Sequence, residues 1–452
     1  MQSPDFPEFH TPAGPIIGRR DGAVVRASGI RYARAQRFRP PVAEPTFASP
    51  FRATLPAPAC PQVADPFLEP VMGSLFAGIT YDEDCLRLSI TRPAEVRPDE
   101  QLPVMVWVHG GSYVTGAGDL PIYDPAVLVS EQRVVFVAVT YRLGLLGFLG
   151  REGGTPPNLG LLDLLESLRW VQRNIAAFGG NPALVTLLGH SSGADAAAHL
   201  MVAQGAKGLF RRVIMHSAPL GLSRKRQAMS RAMADAAGTL QPAAPVAEVL
   251  ARESIATQAA RRFGLKSGMP FGTQYGAYPL PAEADIDRAW EAVAPSVDVL
   301  IGATAEETRF FAILDPKYRR LLGFPVLGRL ISRPLVSFSS GLVYLKSAVA
   351  FAKRHARAGG RAYRFLVTFR PTDSEFGAAH TVDLPLLLGT QASWSFAPIL
   401  GQATWAAVEA AGRQVRQLWA GFARTGVLPS RVEVPGVLWV KQEPTSGVLN
   451  KQ

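Results

Sequence analysis

Gly189-His190-Ser191-Ser192-Gly193 fits the pattern G-x-S-x-G. A serine in this setting attacks carbonyl carbon when it sits on a sharp turn between a strand and a helix. The turn leaves no room for side chains two residues to either side, hence the glycines. The flanking sequence predicts that context. Val185-Thr186-Leu187-Leu188 reads as a strand, and the alanine-rich stretch Ala194 to Val202 reads as a helix. The chemistry expected is nucleophilic acyl transfer through a covalent serine intermediate.

Such a serine needs hydrogen-bond donors for the oxyanion that forms on attack. The backbone N–H after the nucleophile, that of Ser192, is one candidate. His109-Gly110-Gly111-Ser112-Tyr113, directly after the β-favouring run Val104 to Val108, offers the N–H groups of Gly111 and Ser112 as the others.

The base is reached by elimination among seven histidines. Where a strand–serine–helix turn carries the nucleophile, the acid and then the histidine follow it in the chain. His10 and His109 precede Ser191, and His190 adjoins it. His199 lies two turns along the same predicted helix, and His216 comes before any late acid-bearing strand. His355, within Lys353-Arg354-His355-Ala356-Arg357, is expected on a solvated helical face. His380, in Gly377-Ala378-Ala379-His380-Thr381-Val382-Asp383-Leu384, remains. For the acid, Gly302-Ala303-Thr304-Ala305-Glu306-Glu307 presents two adjacent carboxylates after a predicted strand, whereas Asp298 lies inside that strand. The acid would orient His380 and stabilise its imidazolium without taking the proton.

These residues need a scaffold, and the elements around them alternate between strand and helix. The runs at 104–108, 134–139 and 185–188 are apolar on both faces, as a sheet covered by helices on each side requires. Residues 161–178 carry apolar positions at helical spacing, and Gly179-Gly180-Asn181-Pro182 stops them. Later strands are expected at 297–301 and 363–368. The fold class read from this order is α/β, with a central mostly parallel sheet. The chain reads as one domain over residues 1–452, with a basic helical insertion around 317–364 acting as a cap.

Composition narrows the function classes. Hydrophobic residues make up 48% of 452 and charged residues 18%, enough for a large core. The net charge of +11 has a local origin. Eleven Lys and Arg and no acidic residue fall between Lys317 and Arg364, which accounts for the whole excess. No nucleic-acid motif accompanies them, so no nucleic-acid partner is expected. The segment Leu321 to Leu327 with its flanking arginines has two readings, a lid or interfacial patch for lipid-like substrates and helical packing with basic side chains in solvent. No export signal is visible at the N-terminus. Arg142, and Arg333-Pro334, interrupt the longest apolar runs, so no integral membrane segment is expected and the location is expected to be cytoplasmic. Cys60 and Cys85 fit no familiar metal-ligand spacing, and no metal or organic cofactor is implied.

The ordered motifs resemble the type-B carboxylesterase family, the group that includes cholinesterases and bacterial para-nitrobenzyl esterases. Gly29-Ile30-Arg31-Tyr32-Ala33 with Arg37 to Pro41 looks like its entry motif, and Glu83-Asp84-Cys85-Leu86-Arg87-Leu88 like its E-D-C-L signature. Asn158 to Asp163, and Trp170-Val171-Gln172 to Asn181-Pro182, resemble its approach to the serine. The resemblance implies the α/β-hydrolase fold, esterase activity on a small-molecule substrate, a monomer or small homo-oligomer, Glu307 as acid and His380 as base. It also matches Cys60 and Cys85 to a possible disulfide, which a cytosolic setting would keep reduced. Two departures stand at the site. His190 replaces the family's usual glutamate before the nucleophile, and Ser112 replaces the third glycine of its oxyanion loop. The same triad would serve an amidase or carbamate hydrolase. Some proteins on this fold are non-catalytic binding proteins, but those typically lose the serine.

Overall fold

The computed structural model describes residues 5–63, 68–73, 75–76, 78–97, 99–151, 154–316, 320 and 327–445. The large sheet is built from β1 (Arg19–Asp21), β2 (Val24–Arg31), β3 (Arg87–Pro93), β4 (Leu102–Val108), β5 (Val135–Val139), β6 (Gly180–His190), β7 (Arg212–His216), β8 (Asp298–Thr304), β9 (Ala362–Val367), β10 (Arg431–Val434) and β11 (Leu438–Gln442). Their order across it is β10-β11-β9-β8-β7-β6-β4-β5-β3-β2-β1. The centre, from β9 through to β5, is parallel, and both flanks are antiparallel. The strands expected at 104–108, 134–139, 185–188, 297–301 and 363–368 all lie in this centre.

Every residue of β4, β5 and β7 is buried, because helices cover both faces. Side chains alternate across the sheet. Val104, Val106 and Val108 pack with Leu161, Leu164 and Leu168 of α1 (Leu159–Asn174) and Ala194 and Ala197 of α2 (Ser192–Leu200). Met105 and Trp107 belong to the opposite cluster. The helix expected over 161–178 ends as a 3-10 turn, Ile175–Phe178, closed by Gly179 in the left-handed region at φ 80°.

The helices bearing on the site are α3 (Val246–Ala260), α4 (Arg309–Leu314), α5 (Leu327–Ser340), α6 (Lys346–Arg357) and α7 (Trp405–Thr425). On the side of Met105 and Trp107, α7 contributes Val415 and Trp419 to the core. A π-helical turn, Gly341–Leu345, joins α5 to α6. The basic stretch is therefore only partly an insertion: Ala348, Phe351, Ala352 and Ala356 of α6 pack into the core, and 362–364 belong to β9. Residues 321–326 of the suggested lid lie outside the described residues.

One expectation needs correcting. His355 is 2% exposed, not solvated. Its Nε2 lies 2.8 Å from the Val297 carbonyl, and burial pushes its pKa down to about 4. The helical run Arg333–Arg357 is, by length and composition alone, long and apolar enough to cross a membrane. The run begins at Arg333-Pro334, and between Pro334 and Phe351 its sole charge is Lys346.

Candidate active site

Strand β6 ends at His190, and α2 begins at Ser192. Ser191 between them has φ 55° and ψ −125°, a conformation costly for a residue with a side chain. Its N–H donates to the His216 carbonyl at 2.8 Å, and its own carbonyl accepts from Ala194 at 2.9 Å and Asp195 at 3.0 Å. A Cβ on Gly189 would lie 2.4 Å from the Gly193 carbonyl oxygen, and one on Gly193 would lie 2.1 Å from that of Val108. Both glycines are thus required by close backbone approach.

The loop after β4 wraps onto this turn. A Cβ on Gly110 would approach the His190 carbonyl oxygen to 2.8 Å. Gly111, Ser112 and Tyr113 have φ of 107°, 55° and 62°. Three successive positive φ values are tolerated here where the family has glycine at the second. The Tyr113 N–H donates to Ser192 Oγ at 3.2 Å, and the Tyr113 hydroxyl donates to Asp195 Oδ2 at 2.8 Å, tying loop to elbow. Gly110, Gly111, Ser112, Ser191 and His380 line one cavity of about 340 Å³, with Leu75, Phe76, Phe310 and Phe311 in its apolar wall.

Of the two adjacent carboxylates, the structure brings Glu307 to the histidine. Glu307 is fully buried; its Oε1 accepts from Ser217 Oγ at 2.5 Å and from the Thr304 N–H at 2.6 Å. Its Oε2 pairs with His380 Nδ1. Glu306 turns outward to Arg370, 2.6 Å away, and Asp298 lies at the other end of β8 near Arg361 and Arg212. The His380 ring sits among aromatic rings, with centroids 4.8 Å from His190, 5.4 Å from Tyr344 and 5.7 Å from Phe311.

Sequence reasoning missed the groups behind this histidine. His216 Nδ1 lies 2.5 Å from Asp383 Oδ2, and the Trp419 indole N–H donates to His216 Nε2. Asp383 Oδ1 stands 3.8 Å from His190 Nε2. Burial alone would raise the Asp383 carboxyl, but the His216 hydrogen bond and the neighbouring imidazoles bring it down to about 2. Burial pushes His190 down to about 3, so it is neutral beside Ser191. Asp383, three residues past His380, was in view in the sequence. His216 and Ser217 carried no local signal.

The remaining candidates lie away from the cavity wall. His199 Nδ1 is 2.7 Å from the Asp195 carbonyl, and His109 Nδ1 is 2.8 Å from that of Gly110. Cys60 and Cys85 are both buried free thiols. They are neighbours, and the hydrogen bond between them, with burial, holds the Cys85 thiol well above its ordinary range. Among the described residues, no group of three His, Cys, Asp or Glu is placed to hold a metal ion.

The carboxylesterase family model matches residues 5–322. The chain is 34% identical to a probable N-octanoylanthranilate hydrolase of Rhodococcus erythropolis, over 98% of this chain and 96% of that protein. It is 30% identical to the para-nitrobenzyl esterase of Bacillus subtilis, over 92% and 89%, and 28% identical to the phenmedipham hydrolase of Pseudarthrobacter oxydans, over 97% and 95%. Among solved structures, a thermophilic PNB esterase superposes with a TM-score of 0.75 at 27% identity, covering 95% of this chain and 93% of its own. The elbow, the sheet order and these likenesses agree: the fold is the α/β-hydrolase fold, and the chain belongs to the carboxylesterase family of carboxylic ester hydrolases.

Proposed function

We propose that the cavity hydrolyses carboxylic esters by two-step acyl transfer, with Ser191 as nucleophile, His380 as base and Glu307 as the orienting acid. The observation that carries this reading is the pairing of His380 Nδ1 with the buried Glu307, in a cavity that Ser191 also lines. That pairing fixes the tautomer, leaving Nε2 to accept the serine proton. As Ser191 Oγ bonds to the carbonyl carbon, its proton passes to His380. The ester C–O bond then breaks, and the alcohol leaves with that proton. Water, deprotonated by His380, attacks the acyl-enzyme and releases the acid and the free serine. The N–H groups of Gly111, Ser112 and Ser192 hold the oxyanion in both steps.

A second reading is favoured by one specific likeness. A relative matched over 98% of this chain is named an N-octanoylanthranilate hydrolase, for an N-acyl compound. The same triad would cleave an amide, with the amine as leaving group. Comparing para-nitrophenyl butyrate with the para-nitroanilide of the same acid separates the two. The ester reading predicts a kcat/KM for the ester well above that for the anilide, and loss of both in Ser191→Ala. Ester turnover that survives in Ser191→Ala contradicts the triad. An anilide turned over as fast as the ester moves the assignment to amide hydrolysis.

A further inference from the structure

The helix that carries Tyr344 against His380 turns an apolar face to solvent. Leu335 is 48% exposed, Phe338 64% and Leu342 45%. Spacings of three and four put them on one side of the helix. The opposite side is anchored: Val336, Ser340, Val343 and Tyr344 are buried, and Thr308 Oγ1 lies 2.7 Å from Ser339 Oγ and 3.1 Å from the Val336 carbonyl. Three residues on from Thr308, Phe311 is 43% exposed, and it also forms part of the cavity wall. These four exposed apolar residues thus gather beside the cavity, and such clustering marks an interaction surface.

Charge selects the partner. Arg333, exposed, precedes the apolar strip, and Lys346 follows it with its Nζ 6.0 Å from the Phe338 ring centroid. No Asp or Glu occurs between Lys317 and Arg364 to repel an anion. A second copy of the chain would bring the same cations to the same face, which disfavours self-docking. The packing of α6 argues against a span across a bilayer, since Ala348, Phe351, Ala352 and Ala356 are buried and the Phe351 ring lies 5.2 Å from that of Trp290.

We infer that this face, Leu335, Phe338 and Leu342 with Arg333 and Lys346, docks on an anionic lipid–water interface and brings the cavity mouth beside it. The apolar side chains enter the headgroup boundary, and the cations meet lipid phosphates. The inference stands independently of the triad, because it concerns binding and not turnover.

Vesicle flotation tests it with the full chain, using phosphatidylglycerol-rich vesicles and pure phosphatidylcholine vesicles. The wild type and Ser191→Ala are expected to float equally with the anionic vesicles, and far less with the neutral ones. The triple variant Leu335→Ser, Phe338→Ser, Leu342→Ser is expected to bind roughly tenfold or more weakly, with turnover of soluble para-nitrophenyl butyrate unchanged. Lys346→Gln is expected to reduce the salt-sensitive part of binding. A wild type that does not float, or a triple variant that floats as the wild type does, overturns the inference. So does a wild-type dimer in sedimentation velocity that the triple variant converts to monomer without any flotation, which would make the face a self-interface.

Discussion

The Glu307 carboxylate is held from both sides: Ser217 Oγ donates to Oε1 at 2.5 Å, while Oε2 pairs with His380 Nδ1. Neither oxygen is free to rotate away, so the acid fixes both the tautomer and the plane of the imidazole. Glu307→Gln offers His380 an amide in place of an anion, and kcat is expected to fall roughly 10³-fold or more with KM little changed. Ser217→Ala removes one of the two donors to Oε1, leaving the Thr304 N–H, and should cost kcat about tenfold. Steady-state kinetics on para-nitrophenyl butyrate check both. A rise in KM without a fall in kcat contradicts the assignment.

Much of this site is legible in the sequence because its constraints are local. Gly189 is dictated by a backbone contact within the turn itself and Gly193 by the neighbouring strand β4 at Val108, while β4 and β5 announce themselves as continuous apolar runs. The choice between Glu306 and Glu307 is not local, since the two side chains leave the same turn in different directions. Asp383 and His216 meet across 167 residues, and no sequence pattern encodes that contact. His355 was misread because Lys353, Arg354 and Arg357 surround it. Helical geometry sends it inward with Phe351, Ala352 and Ala356, while Arg354 reaches out to the Trp290 ring.

His190 makes a substrate prediction. Burial holds it neutral, with a pKa pushed down to about 3, so the residue beside the nucleophile carries no negative charge to welcome a cation. A quaternary ammonium ester such as butyrylcholine should be turned over at a kcat/KM at least roughly tenfold below that of para-nitrophenyl butyrate. Comparable values for the two would contradict this reading.

Two sets of buried groups should pull stability in opposite directions below neutrality. Burial lowers His109 and His355 to about 4 and His190 to about 3, against an ordinary value of 6.5. Below 6.5 the unfolded chain takes up protons that the folded one refuses, so the stability from keeping these rings neutral is lost as pH falls toward 4 and 3. Glu253 acts oppositely. Burial raises its carboxyl to about 7, although it accepts the Leu145 N–H at 2.9 Å. Its stabilising neutral form is fully present below 4.5 and lost as pH rises through about 7. Glu253→Gln is therefore expected to gain Tm relative to wild type, by a few degrees, as pH rises from 4.5 to about 7. Parallel melting curves for the two proteins across that range would contradict it.

Cys60 and Cys85 should count as two thiols. Protein alkylated at harvest and analysed by mass is expected to carry two labels after unfolding, and almost none when labelled folded, because both sulfurs are buried. An unlabelled, mass-shifted pair linked by a bond would show instead that the two are oxidised in the cell.

The most direct test of the account is covalent. Purified protein is treated with a fluorophosphonate, and the adduct is mapped by mass spectrometry alongside para-nitrophenyl butyrate turnover. The account predicts a single adduct on Ser191, formed at least roughly 10³-fold more slowly in His380→Ala and absent in Ser191→Ala, with activity lost in parallel. An adduct on another residue, or turnover that survives the loss of the Ser191 hydroxyl, would contradict it.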